Sequence, residues 1–433
     1  MTQNTSSRPE MPQARGHHSR LEKIIYVVIL GMLTAFGPVC TDIYLPALPA
    51  MGHDFEADPS LTQLSLTATF LGLALGQLII GPLSDALGRR RPLLVSLLVF
   101  TLASLLCATA PSIYWLIFWR FFQGLAGAGG MVLSRSMAAD TFSGAKLASF
   151  VGLLMTVNSV APILGPMLGS ALVTLGSWQL VFYTLALWGL LLVVVSHFKI
   201  DETHHTASGQ GQLKKALADM GHELLNRRLM WYVVALSFVS GALFGYISAS
   251  PFVFQVIYGL NPGQYGLVFG CIALCMSVCG LVAGVGVRLI GEWRLTLASL
   301  FLLLVIGLLL LVWAGLHPPV WVVLVTLMVM GGVTATANTA GFNLVMGARR
   351  GGVGAANGIL GVMNFLFGAL VSPLMGVMGE HSMVPLGLCV TLSGILGLGF
   401  FLTAGRGGGR AISVDTPPAA ADAEAAIAKA ADD

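Results

Sequence analysis

LTLASLFLLLVIGLLLLVWAGL, residues Leu295–Leu316, runs for 22 residues without a charge between Arg294 and His317. At a helical rise of about 1.5 Å per residue, such a stretch covers the roughly 30 Å hydrocarbon core of a bilayer. No water is available there to satisfy backbone N–H and C=O groups, so a segment of this kind crosses as an α-helix. The same test, applied outward in both directions, finds twelve spans. The first six cover roughly 24–46, 61–83, 92–110, 113–133, 147–171 and 178–197. The second six cover roughly 230–254, 265–287, 295–314, 320–343, 354–378 and 383–402. Residues 1–23 are polar, and the first apolar run exceeds a signal-peptide core and precedes no small-residue cleavage site, so span 1 is expected to be retained.

Composition agrees. Of 433 residues, 56% are hydrophobic and 9% charged, with a mean hydropathy of +0.85. Soluble globular proteins carry about 25% charged residues, and a chain this poor in charge cannot cover a water-facing surface. Disorder, coiled coil, collagen and a disulfide framework are excluded on the same ground. The net charge of +3, with no interleaved basic and aromatic residues, argues against a nucleic-acid partner. The six cysteines all fall in apolar runs without a CxxC spacing. Cys271, Cys275 and Cys279 share one helix face, which suits either a soft metal or small packing residues. Packing is the expectation, and no metal or other cofactor is anticipated.

Lys and Arg set the orientation. With twelve alternating spans, 21 of the 22 basic residues fall on one side, in the two tails and the 2–3, 4–5, 6–7, 8–9 and 10–11 loops. The opposite loops carry none. The exception is Arg120, inside span 4. Both termini are therefore expected to be cytoplasmic, in a multi-pass membrane protein.

The only long internal loop, 198–229, contains THH, SGQGQ and a stretch, Leu213–Leu225, able to form a short surface helix. It separates a six-helix bundle at 24–197 from another at 230–403, flanked by tails at 1–23 and 404–433, the latter low in complexity. An offset of 203 aligns Pro59 with Pro262, Gly81 with Gly284, Gly88 with Gly291 and Arg91 with Arg294. The expected fold is thus all-α, with twelve membrane helices in two pseudo-symmetric six-helix bundles. Repeated halves of this kind suit a transporter rocking around a midplane site.

Among the acidic residues, Asp42 alone falls inside a span. A charge near a helix centre costs roughly 2.5–3.5 kcal/mol on insertion scales. A carboxyl group can shed that cost by taking a proton, whereas a guanidinium cannot lose its charge. Asp42 and Arg120 are therefore candidate proton-coupling residues, the alternatives being a static ion pair or a hydrated Asp42 near the outer end of its helix. Tyr44, Gln123, Asn158, Tyr246, Gln255, Asn338, Asn343 and Asn364 are the candidate cavity residues, although a buried Asn equally joins helices. A cavity lined this way is apolar and aromatic, suiting amphipathic compounds.

Several stretches resemble the major facilitator superfamily. GPLSDALGRRR (Gly81–Arg91) resembles its 2–3 loop signature, matching at Gly81, Asp85, Gly88, Arg89 and Arg90. LIFWRFFQGLAGAG (Leu116–Gly129) resembles the span-4 signature of proton-coupled members, matching at Arg120, Gln123 and Gly124. APILGPMLGS (Ala161–Ser170) is similar to the span-5 antiporter signature at Gly165, Pro166 and Gly169, while Ala161 and Ser170 replace two glycines. SWQLVF (Ser177–Phe182) resembles WRxxF with Gln179 in place of Arg. TDIYLPALP (Thr41–Pro49) resembles the end of span 1 in the bicyclomycin and chloramphenicol resistance branch of twelve-helix drug:proton antiporters. The C-terminal copy of the loop signature is degraded, with Arg288 where Asp85 would repeat.

The resemblance implies the major facilitator fold and several roles. Asp85 would face the N-terminus of span 11, and Arg89 would pair with Asp140, forming a cytoplasmic latch with Gly81, Gly88 and Arg90. The bend at Gly165, Pro166 and Gly169 would seal the two halves against a leak. Export of small hydrophobic or amphipathic drugs, driven by protons entering as a monomer cycles in the lipid bilayer, is the leading expectation. Uptake of a small metabolite by proton symport is the alternative. A membrane-embedded enzyme or receptor is remote: no HExxH, P-loop or intramembrane His pair is present, and Ser134 and Ser372 lack a base within their helices.

Overall fold

The computed structural model describes residues 20–203, 218 and 220–406. Both tails fall wholly or largely outside them, as do residues 213–217 and 219 of the expected short helix; residues 220–224 are helical. Among the described residues every regular element is a helix. Eleven are long and apolar enough to cross a membrane, and a twelfth arises if Ile25–Thr34 and Phe36–Asp54 count as one bent span. Leu281, Leu289 and Trp321 stand 81%, 78% and 64% exposed on outer faces. Apolar side chains this open belong against lipid rather than water.

Span 1, expected over roughly 24–46, is not one continuous helix. It bends by 47° after Thr34, and the helix of Phe36–Asp42 then gives way to a 3-10 turn at Leu45–Ala47 and a short helix at Leu48–Asp54. Proline explains both interruptions. Pro38 lacks an N–H for the carbonyl four residues back, that of Thr34, and its ring crowds the same carbonyl. Pro46 does likewise at Asp42. The helix therefore ends on the carboxylate of interest.

Span 4 is also longer than expected. It runs from Ile113 to Thr141 instead of ending near residue 133, and carries Arg135 and Asp140 within its last turns. A helix stops where its backbone leaves helical geometry, here at the extended Phe142, and not where the hydrocarbon ends. At the far end of the chain, span 11 is regular over Val353–Val371 and tightens into a 3-10 turn at Ser372–Gly376.

The internal repeat is visible in geometry. Spans 2 and 8 are Pro59–Leu87 and Pro262–Ile290, each 29 residues and offset by 203 at both ends. Each opens on Pro, which suits a first helical turn. Each is followed by a glycine of positive φ, 85° at Gly88 and 84° at Gly291, a conformation that Cβ-bearing residues avoid.

Packing divides the chain into two compact units, Met1–Leu213 with Leu260–Gly270 and Lys214–Gly259 with Cys271–Asp433. In the first, span 4 lies so close to span 2 that a Cβ on Gly124 would fall 2.2 Å from the Thr69 carbonyl. Phe36 stacks on Trp188 at 4.4 Å and meets Phe100 edge-on at 4.6 Å. In the second, Phe238 lies against both Phe367 and Phe400, and the Ser248 hydroxyl donates to Ser372 at 2.9 Å. The Cys279 thiol fills space beside span 10, 2.7 Å from where a Gly332 Cβ would lie.

Candidate functional site

Asp42 closes the second segment of span 1 and is 3% exposed. Among the described residues one side chain hydrogen-bonds it, the Thr41 hydroxyl, 2.8 Å from Oδ1. That hydroxyl also lies 3.1 Å from the carbonyls of Gly37 and Pro38, but has only one proton to give. It can donate to an ionised carboxylate. Equally, it can donate to a backbone carbonyl and accept from a protonated carboxyl. Both protonation states of Asp42 are thus accommodated without rearranging the helix.

Arg120 is wholly buried and does not pair with Asp42. Its Nη1 donates to the Cys40 carbonyl at 3.1 Å and to Gln123 Oε1, while Gln123 Nε2 donates to Ser104 at 2.7 Å. The guanidinium carbon lies 4.2 Å above the Tyr44 ring and 5.7 Å from that of Phe182. A desolvated cation gains about 2 kcal/mol or more over an aromatic face. Arg120 Nε and Nη2 find no partner among the described residues. The cation is therefore anchored to the strand of backbone bearing Asp42, two residues away, without neutralising it.

Tyr44 and Gln123, expected at the cavity, have no exposed surface here and form the shell of Arg120. Tyr44 reinforces it through a hydrogen bond with Ser65. Asn158, Gln255, Asn338 and Asn364 are half-buried, Tyr246 is buried and Asn343 is exposed. Asn158 Oδ1 and Asn364 Oδ1 are buried with no hydrogen-bond partner among the described residues.

Span 5 supplies the floor beneath Asp42. A Cβ on Gly165 would lie 3.3 Å from Asp42 Cβ, and one on Gly169 would lie 1.8 Å from the Ile43 carbonyl oxygen. These glycines, with Pro166 between them, bring span 5 onto the broken end of span 1. This close approach lies inside the first unit.

At the basic-loop end, Arg89 gathers the charges. Its Nε donates to Asp140 at 2.9 Å, and its Nη1 donates to Ser84 at 2.6 Å and to Asp85. Burial opposes the Arg89 charge, but the two carboxylates outweigh it, raising its pKa above the ordinary value. In a double-mutant cycle of Arg89→Gln and Asp140→Asn, followed by thermal unfolding, we expect a coupling of about 1–2 kcal/mol. Additive effects would mean that the pair contributes nothing.

Two carboxylates from the ends of the 198–229 loop were not singled out from sequence. Glu202 accepts the backbone N–H groups of Arg89 and Arg90 at 2.7 and 3.2 Å, and so caps span 3. A Cβ on Gly88 would strike it at 2.5 Å. Glu223 is buried and accepts from the backbone of Arg350 at 2.7 Å, from that of Gly351, and from the Asn226 amide at 3.1 Å. Burial alone would raise its pKa; these bonds and the Arg350 charge outweigh that and hold it below the ordinary 4.5. A carboxyl group depressed in the fold contributes stability above its unfolded pKa and loses it as pH falls through the folded value. Protection of the Arg350 and Gly351 amides, corrected for intrinsic exchange, should therefore hold at neutral pH and be lost only as pH falls below the ordinary carboxylate value. Glu223→Gln should lose roughly tenfold of it at neutral pH, since a bond to a charged group contributes about 1.5–3 kcal/mol. Unchanged protection would remove this role.

The sequence model of the Major Facilitator Superfamily matches residues 30–373. An uncharacterised MFS-type transporter of Bacillus subtilis, YdgK, is 36% identical over 384 residues, covering 88% of this chain and 95% of its own length. A bicyclomycin resistance protein homologue of Haemophilus influenzae is 27% identical over 377 residues (85% and 94%), and the multidrug resistance protein MdtL of Klebsiella pneumoniae is 26% identical over 350 (80% and 87%). Among solved structures, a bacterial homologue of the human lysosomal transporter Spinster superposes with a TM-score of 0.70 at 14% identity, covering 90% of this chain and 98% of that one. A D-xylose–proton symporter gives 0.65 at 14% identity, covering 89% and 97%.

Proposed function

The chain belongs to the major facilitator superfamily of membrane transporters, and on that premise we propose that it is a proton-coupled antiporter exporting small hydrophobic or amphipathic drugs. The observation that carries this reading is Asp42, a buried carboxyl group at a helix break, held by a hydroxyl able to serve either protonation state and with no neutralising cation among the described residues. Protonation of Asp42 from outside releases the drug, and deprotonation inside resets the site. Arg120 keeps a fixed positive charge on the same backbone, so loss of the proton changes the local charge balance rather than dissolving an ion pair. A unit charge moving inward across 100 mV yields about 2.3 kcal/mol, enough to concentrate a neutral drug roughly fiftyfold.

The other roles follow on the same premise. Arg89, Asp85 and Asp140, with Gly81, Gly88 and Arg90, act as a latch on the basic-loop side. Gly165, Pro166 and Gly169 hold span 5 against the Asp42 segment. Asn158 and Asn364 are each a candidate substrate contact, because each presents a buried acceptor without a hydrogen-bond partner among the described residues. The protein works as a monomer in a bacterial inner membrane with both termini cytoplasmic. The multidrug and bicyclomycin resistance relatives support a drug as cargo.

A drug-susceptibility panel in a pump-deficient bacterial host tests this. Expression of the wild type should raise the inhibitory concentration of at least one amphipathic compound severalfold, and Asp42→Asn and Arg120→Ala should each return it to the host value. No protection by a membrane-inserted wild type, or equal protection by both variants, would contradict the proposal.

A further inference from the structure

Outside the Asp42 region, the most unusual chemistry lies in the second unit, where span 7 begins. Leu225, Asn226, Arg227, Arg228, Trp231 and Arg350 line a cavity of about 700 Å³, closed on one side by the last turn of span 12. An adjoining cavity of about 380 Å³ shares Arg350. Arg227, Arg228 and Arg350 thus line one space, all three exposed, and none forms an ion pair among the described residues. Among the described residues the acid nearby is Glu223, which accepts from the Arg350 and Gly351 backbone and the Asn226 amide and feels the Arg350 charge without pairing to its guanidinium. The first turn of span 7 adds the positive end of its helix dipole, which favours anions.

The walls are amphipathic. Trp231, one turn into the span, rests on Phe400 with ring centroids 5.3 Å apart. Leu224 and Leu225, just before the span, are 52% and 81% exposed. An aromatic ring, exposed leucines and arginines gathered at the start of a span suit the boundary between hydrocarbon and headgroups. Arginines at that boundary are suited to bidentate contact with phosphate oxygens.

We propose that this cavity binds the phosphodiester headgroup of an anionic phospholipid, with Arg227, Arg228 and Arg350 on the phosphate and Leu225 and Trp231 beside the acyl chains. A free phosphate would use the same guanidinium groups but leave the apolar wall unmatched, which is why the lipid is the occupant argued for. The site is independent of proton coupling, and its occupancy requires neither drug nor proton gradient.

The test is equilibrium binding of fluorescent phosphatidylglycerol to the purified full-length protein in detergent, with fluorescent phosphatidylcholine as the uncharged comparison. One basic residue near a membrane surface contributes about 1 kcal/mol, or roughly fivefold in affinity. Arg350→Gln should therefore weaken phosphatidylglycerol binding about fivefold, and the triple variant R227Q/R228Q/R350Q on the order of a hundredfold. Arg294→Gln, which removes a guanidinium of the same unit outside the cavity, should change nothing. Phosphatidylcholine should bind the wild type no better than the triple variant, and millimolar inorganic phosphate should fail to displace phosphatidylglycerol. If the triple variant does not fold, the three single variants decide the matter. Wild-type affinity in the arginine variants, an equal loss in Arg294→Gln, or full displacement by inorganic phosphate would each overturn the assignment.

Discussion

Asp42→Asn is expected to reduce drug-driven proton movement in proteoliposomes to background while leaving the protein folded. The substitution is nearly isosteric. Asn can still accept from the Thr41 hydroxyl 2.8 Å away, and Arg120 does not depend on the lost charge, because it is bound to the Cys40 carbonyl and Gln123. What disappears is the ability to hold and release a proton. The effect should therefore be on coupling, with thermal stability near that of the wild type, since removing a buried carboxylate's charge relieves a desolvation cost. Proton movement at the wild-type level in this variant would exclude Asp42 as the proton site. Loss of the folded protein would instead place Asp42 in a structural role.

The second large effect is expected at Gly169. An alanine Cβ there would lie 1.8 Å from the Ile43 carbonyl oxygen and 2.8 Å from its carbon. Both are backbone atoms, which no rotamer change can move aside. Overpacking of this kind costs typically about 1–3 kcal/mol, and more where the backbone must shift. For a domain of about 200 residues that corresponds to a drop in Tm of roughly 2–4 °C per kcal/mol. The shift also pushes on the residue next to Asp42, so transport should fall further than stability alone explains. Gly165→Ala, with its nearest neighbour at 3.3 Å, should be milder. Gly152→Ala, on the same helix with nothing within 4 Å, should be neutral or slightly stabilising. Equal melting temperatures for Gly169→Ala and Gly152→Ala would contradict this packing.

The membrane helices are legible in sequence because burial in lipid is a demand on composition, which every span meets residue by residue. The 203-residue repeat is legible where it rests on Pro59 with Pro262 and Gly88 with Gly291, whose backbone constraints leave few substitutes. The break in span 1 is harder to read. Pro38 and Pro46 are in plain view, but the apolar run continues through them, and hydropathy alone draws one straight helix. Partner identity is the least legible layer. Asp42 and Arg120 look like a pair when picked out as the two charges inside spans, yet the guanidinium is drawn to the buried Cys40 carbonyl beside the helix break and to the Tyr44 and Phe182 rings. Tyr44 and Gln123 read as cavity residues because they are polar within spans, whereas they are committed to Arg120. Glu202 and Glu223 look like ordinary loop acids. Only the fold brings each onto the free N–H groups of a distant loop.

Proton coupling is tested most directly by wild-type protein in proteoliposomes with an internal pH dye and a transported drug as the only added gradient. Proton movement should start with the drug gradient, run opposite to it, and vanish in Asp42→Asn. Drug flux that proceeds without any pH change, or protons that travel in the same direction as the drug, would contradict a proton antiporter.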